Sequence, residues 1–439
     1  MRRGNQGPDW TDGEMHRLMY EGDPELYALS ALSESALTGQ RMRVLFQLLH
    51  GTRVGLTEDA RRTLSRVSAL LLALLPADDA LTVFLALRRS RANHKHTSRA
   101  IVDYVVNHPK LADMARRRRR GVVDSLEHAL GKDVARGVVR TIFSPASDST
   151  YARSHLLRFA REPERLIEVL AYLYRQRGEE SLSPVTTEAG YAQTHAQYVQ
   201  AWSRLYERPD VVTATNRGNI AATLVHIYQG GTTMELEQAL VRFVDEAAQL
   251  LPRFEGKVAV VLDVSASTRG YGNREFCIVA QSVALQRVLA RNCAELRVHK
   301  VGGAGSDRLP WPAGLTDLAE SLVGALEEAP DVVAIVSDGY ENVYSGDLAR
   351  VVATLPQLGL RIPVIFCHSK FSHSDDLSFR RPAPDLPETE FWHQSDFEDV
   401  MLRLFTAAQD GAREKSVREF LRAKLDRVER EVAPWTTSN

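Results

Sequence analysis

Residues 258–269 read VAVVLDVSASTR: an apolar run stops at Asp263, and hydroxyl side chains follow at alternate positions, Ser265 and Ser267. The spacing D-x-S-x-S puts one carboxylate and two hydroxyls on a turn leaving the strand. That all-oxygen set suits a hard divalent cation such as Mg²⁺, which keeps some of its waters, whereas softer metals want His or Cys. Two more oxygen sources stand at the matching ends of later elements. Thr316, followed by Asp317, opens a helix in PAGLTDLAESL, and Asp338 ends a strand in VVAIVSDGYEN. Taken singly, Ser265 and Ser267 read as N-caps after a strand and Thr316 as a helix cap. Taken together, the five oxygens fall in chain order at element ends, and a metal site becomes the expectation.

Other candidates near this set are weaker. Asp317 reads as a cap or as a group orienting Thr316, and Glu341 lies close in sequence with no assigned role. His368 and His373, in CHSKFSHSDD, read as loop polar residues before a second metal site, and Trp392 as core or part of a late strand. The chain contains no GxxxxGK[ST] phosphate loop, HExxH, GxSxG elbow or GxGxxG after a strand, so nucleotide hydrolysis, zinc proteolysis and esterase chemistry have no motif to rest on. A non-enzymatic binding protein is the expectation.

The elements that must position these residues fall in two parts. Residues 1–23 read as a flexible terminus. From 24 to 255 the apolar spacing is helical, as in ARRTLSRVSALLLALL and EPERLIEVLAYLYRQR, with breaks such as PADDA, NHPK and GKD between segments. That rhythm suggests stacked, HEAT-like helix pairs. Two looser stretches are RGEESLSPVTTEAG and ERPDVVTATNRGN. From 256 to 410 strands alternate with helices: KVAVVLD, LRVHKVG, DVVAIVSD and RIPVIFCH are separated by helical segments. Continuous Val, Ile and Leu runs indicate strands buried on both faces, hence a doubly wound, mostly parallel α/β sheet. Residues 411–439 read as a C-terminal helix.

With 439 residues, 55 Lys and Arg, 56 Asp and Glu and a net charge of −1, the chain is long enough for two or three cores and has no overall electrostatic bias. The bias is local: residues 41–160 carry an excess of about 12 positive charges, against about four negative over 1–40 and about five negative after 255. Arg88, Arg89, Arg91, Lys95 and Arg99, with His94 and His96 among them, form one dense stretch, and Arg116, Arg117, Arg118, Arg119 and Arg120 form another. Consecutive arginines usually lie on a solvated helix face. Clustered in space, they would contact phosphates, so RNA or another polyanion is a candidate ligand. The three cysteines lack CxxC spacing, and the run ALLLALLP is far below the roughly 18 residues of a membrane span, so a cytoplasmic protein without a membrane partner is expected.

The set Asp263, Ser265, Ser267, Thr316 and Asp338 resembles the metal-ion-dependent adhesion site of von Willebrand factor A domains. The resemblance implies a Rossmann-like domain in which serines, threonine and water bind Mg²⁺ while the aspartates act mostly from outside the ligand shell. The metal's open position would take a Glu or Asp from a partner protein. A helical region followed by an A domain resembles two bacterial groups. One is the partners of MoxR-type AAA+ ATPases, which implies an adaptor in a multi-protein system, defence among them. The other is the TROVE-domain relatives of the Ro autoantigen, which implies RNA binding in non-coding RNA quality control. The adaptor is the leading expectation, and Ro-like RNA binding is its alternative.

Overall fold

A computed structural model of the chain describes residues 13–33, 36–144, 150, 154, 156, 162–175, 213–306, 309–372, 375, 377, 380–408 and 411–436. The stretch RGEESLSPVTTEAG, the first part of ERPDVVTATNRGN and His373 lie outside the described residues. The chain divides into two compact units. One comprises Met1–Leu32, Ala36–Glu207 and Lys424–Asn439, and the other Ser33–Ser35 and Arg208–Ala423. No helix among the described residues is long and apolar enough to cross a membrane.

The first unit is helical: α1 (Gly13–Gly22), α2 (Pro24–Ser30), α3 (Thr38–His50), α4 (Glu58–Leu74), α5 (Ala77–Arg89), α6 (Lys95–Asn107), α7 (Leu111–Leu130), α8 (Lys132–Ile142) and α9 (Pro163–Tyr174). Local signals start these helices. Asp23 accepts a hydrogen bond from Leu26 N at 2.9 Å ahead of Pro24, and Thr57 accepts one from Ala60 N ahead of Glu58 and Asp59. In α4, Leu64, Val67, Leu71 and Leu74 recur three or four apart and are buried. Packing is sequential, α2 on α4, α3 on α5, α5 and α6 on α7, α7 on α8 and α8 on α9, so each helix buries its stripe against near neighbours in the chain. Residues 13–22 are helical although composition marks this terminus as flexible. Two buried side chains hold them: the Tyr20 hydroxyl donates to Thr52 O at 2.9 Å, and His16 Nδ1 meets the Tyr27 hydroxyl at 2.7 Å.

The second unit is α/β. Five parallel strands, β1 (Phe254–Asp263), β2 (Cys293–Val301), β5 (Val332–Ser337), β6 (Val364–Ser369) and β7 (Glu388–Phe391), lie in the order β2-β1-β5-β6-β7. A small antiparallel hairpin, β3 (Ala304–Ser306) with β4 (Leu309–Trp311), follows β2. Further helices among the described residues are α10 (Asn219–Gly230), α11 (Met234–Gln249), α12 (Cys277–Asn292), α13 (Leu318–Glu327), α14 (Asp347–Thr354), α15 (Phe397–Ala407) and α16 (Gly411–Thr436). β5 and β6 are buried throughout and β1 nearly so, as their unbroken apolar runs require. On one face Ala259, Val261, Val333, Ile335 and Phe366 pack against Leu318, Leu322 and Leu348 of α13 and α14. After β1 the chain turns one way to β2, then recrosses to β5, so strand order reverses between β1 and β5. The carboxyl ends at such a reversal open a crevice.

The boundary between the units is not where composition changes. Helical period continues to residue 255, yet α10 and α11 pack on α12, and the chain from Arg208 belongs with the sheet. Arg217 shows why. Its side chain is fully buried and donates to the carbonyls of Lys370 at 2.9 Å, Trp392 at 3.2 Å and Phe371, fixing the approach to α10 against the ends of β6 and β7. Trp392, 7% exposed, directly follows β7. In α16 the division falls at Lys424, and Arg66 of α4 pairs with Asp426 and Glu429 beyond it.

Candidate functional site

Three loops meet at the β1/β5 reversal. The turn after β1 is an Asx type: Asp263 Oδ1 accepts from Ser265 N at 3.0 Å, while Oδ2 accepts from the Ser337 hydroxyl at 2.6 Å. Ser337 is the last residue of β5, so the neighbouring strand ends are tied together. The hydroxyls form a chain in which Thr316 Oγ1 donates to Ser265 Oγ at 2.8 Å and Ser265 Oγ lies 3.1 Å from Ser267 Oγ. Asn342, on the loop after β5, donates through Nδ2 to Thr316 Oγ1 at 3.1 Å, and the backbone N–H groups of Asn342 and Val343 donate to Thr316 O. All five residues named from the sequence therefore converge, and all but the half-buried Ser267 are fully buried.

Two glycines make this close approach possible. At Gly302, φ is +66°, and a Cβ would fall 2.6 Å from Ala313 O and 3.0 Å from Ser265 Cα. At Gly339, φ is +87°, and a Cβ would overlap Arg380 O.

Burial pushes both carboxyls up. For Asp338 desolvation is the largest cause and the charge of Asp263 the next, opposed by the Tyr340 N–H, the Ser267 hydroxyl and Arg380. For Asp263 desolvation again leads, opposed by hydrogen bonds from Ser337 and Ser265. Asp338 Oδ1 accepts from Tyr340 N at 3.2 Å, but its Oδ2 is buried without a hydrogen-bond partner. A buried carboxylate oxygen with no hydrogen-bond partner, beside a second carboxylate and three hydroxyls, fits a hard cation by donor chemistry. Among the described residues no group of three or more His, Cys, Asp or Glu side chains is placed to hold a metal, so this cluster differs from a carboxylate or imidazole cage.

Several supporting residues escaped the sequence reading. Ser337 had a signal, being the polar residue that ends an otherwise apolar strand. Asn342 and Arg380 had none, and Arg380 donates to Asp338 O at 3.3 Å. His368 departs from its reading as a loop residue. It is buried in β6, with Nε2 2.9 Å from Asp338 O and Nδ1 2.8 Å from Glu388 Oε1, so it positions the Asp338 backbone. Asp317 caps α13 by accepting from Glu320 N at 3.0 Å, and Glu341 accepts from Gly346 N and Leu348 N at the start of α14.

The basic residues of the helical unit divide into two sets. Arg88 pairs with Asp124 at 2.7 Å, Arg116 with Asp113, and Arg117 with Asp78 at 3.4 Å. Arg118, where α7 kinks, donates to Asp78 O, and Arg119 donates to the carbonyls of Tyr172, Leu173 and Arg175 at the end of α9. Half-buried, these two arginines hold helices together. Arg89, Arg91, Lys95, Arg99 and Arg120 are exposed and form no ion pair among the described residues. Arg89, Arg91, Lys95 and Arg99 lie on the α5–α6 turn and its flanks. Arg120 is one helical turn before Asp124, the partner of Arg88, on the same face of α7. At that turn the His94 and His96 rings stack at 5.3 Å, and His96 is pushed down to about 4 by burial, then by Arg53 and His94.

No protein-family model matches the sequence, and no curated protein matches it. Among solved structures, the chain is similar to the crystal structure of the Deinococcus radiodurans RO (RSR) protein, with 14% identity over 97% of this chain and 95% of that one and a TM-score of 0.31.

Proposed function

We propose that the α/β unit is a von Willebrand factor A-like domain whose Asp263, Ser265, Ser267, Thr316 and Asp338 hold Mg²⁺ and thereby grip a carboxylate presented by a partner protein. The observation that carries this reading is the buried Asp338 carboxyl, whose Oδ2 has no hydrogen-bond partner, beside the charge of Asp263 and the Ser267 hydroxyl at the sheet's reversal point. A bound divalent cation with few charged ligands supplies affinity for an incoming carboxylate. The chain's own residues fix the donors in advance: Ser337 orients Asp263, Asn342 orients Thr316, and His368 with Arg380 holds the Asp338 carbonyl. The role is capture without bond cleavage, and an AAA+ ATPase or its substrate is the partner class in view. Titration calorimetry with Mg²⁺ tests it. Wild type should bind the ion and the double variant Asp263→Ala, Ser265→Ala should not; equal heats from the two proteins would sink the reading.

A second reading concerns the helical unit. Exposed and without ion pairs among the described residues, Arg89, Arg91, Lys95 and Arg99 form a basic surface suited to phosphates. It supports the Ro-like alternative of RNA binding, and the two readings are compatible because they use different residues.

A further inference from the structure

Most large apolar side chains exposed among the described residues of the α/β unit fall into three groups. One lies along α11, and a second comprises Val323 of α13 with Leu358 and Leu360 in the turn after α14. The third sits on the loops that carry the oxygen cluster: Tyr271, Leu315, Tyr340 and Tyr344, which are 89%, 66%, 44% and 65% exposed. Grouped exposure of this kind, unlike scattered single residues, marks a surface with a use.

Each of the four is tied to the cluster by its loop. Ala266 N donates to Gly314 O at 3.1 Å, setting Leu315 beside the Ser265–Ser267 turn. Tyr340 N donates to Asp338 Oδ1, and the Tyr340 ring lies 5.6 Å from the buried Arg380 guanidinium. Tyr344 follows the two residues that bond Thr316 O, and Tyr271 lies in the loop closed by the bond from Phe276 N to Arg269 O.

The charges of these loops select the occupant. Glu275 is paired with Arg269, Asp317 and Glu341 accept from helix N-termini, and Asp347 is paired with Arg350. Arg274 is exposed and has no ion pair among the described residues. These four acidic side chains are thus engaged internally, while Arg274 and the exposed Tyr271, Leu315, Tyr340 and Tyr344 face outward.

We propose that Tyr271, Leu315, Tyr340 and Tyr344 form the docking rim for a protein segment whose acidic residue is flanked by bulky apolar residues; this rests on the capture reading above. Tyrosines bury wide area at low entropic cost and keep a hydroxyl for the segment's backbone, which suits an extended chain laid across the site.

The test uses the full chain with Mg²⁺ and three blocked nine-residue peptides, read by fluorescence anisotropy. The first has a central Glu flanked by Leu and Phe, the second has Ser flanks, and the third has the apolar flanks around Gln. The apolar-flanked Glu peptide should bind about tenfold tighter than the Ser-flanked one. That advantage should vanish in Tyr271→Ser, Leu315→Ser, whose exposed positions leave the fold and the calorimetric Mg²⁺ affinity unchanged. Equal affinity for the two flanks, or no binding by any peptide, overturns the rim proposal. So does binding of oligouridine that is lost in the same variant, which would assign the tyrosines to base stacking. Failure of Mg²⁺ to bind wild type, or equal binding of the Gln peptide, defeats the capture reading itself.

Discussion

Asp263 and Asp338 are both excluded from water, and burial raises each carboxyl above its ordinary range. The folded chain then holds protons that the unfolded chain, with carboxyls near about 3.9, has released. This contribution to stability is fully present below the unfolded value and is lost as pH rises through the raised folded values. In chelator, thermal melts should therefore show wild type losing stability relative to Asp338→Asn as pH climbs from the acid range toward neutrality. Saturating Mg²⁺ should shrink that loss, because the cation favours the ionised pair. A difference profile that is flat with pH, or unchanged by Mg²⁺, would show that the two carboxyls do not share a cation site.

At the scale of elements, the reversal between β1 and β5 brings the cluster together, and the glycine after Asp338 lets the chain leave. Gly339→Ala places a Cβ against Arg380 O and His368 in a left-handed backbone conformation, so it should cost about 1–3 kcal/mol in urea unfolding and weaken Mg²⁺ binding. Wild-type stability in that variant would mean the loop relaxes freely. The strands that carry Asp263 and Asp338 were legible because burial on both faces leaves continuous apolar runs. The hairpin β3–β4 was not, since AGS and LPW are too short for a period and contain Gly and Pro. His368 was misread for a related reason: sequence pattern shows where an apolar run weakens but not that a polar ring there has two buried partners. The basic runs were legible as charge, but their division into structural and exposed arginines depends on which acids and carbonyls lie across from them. Arg119 is the plainest example, its guanidinium spent on the carbonyl end of α9.

For the whole molecule, the two readings predict separable losses. Replacing Arg89, Arg91 and Arg99 with Ala should lower the slope of oligonucleotide affinity against salt by about 3 and leave Mg²⁺ binding intact, whereas Asp263→Ala should do the reverse. An unchanged salt slope would remove the α5–α6 turn from the phosphate-binding surface. The buried guanidinium of Arg217 has a practical consequence for anyone dividing this protein. A fragment begun at Gly256, where the texture of the chain changes, would strip three interior carbonyls of their donor and bare the side of α12 that α10 and α11 cover. Such a piece should precipitate or bind hydrophobic dyes, while one begun at Arg208 should melt cooperatively. The seam at which to cut is set by where one arginine is anchored.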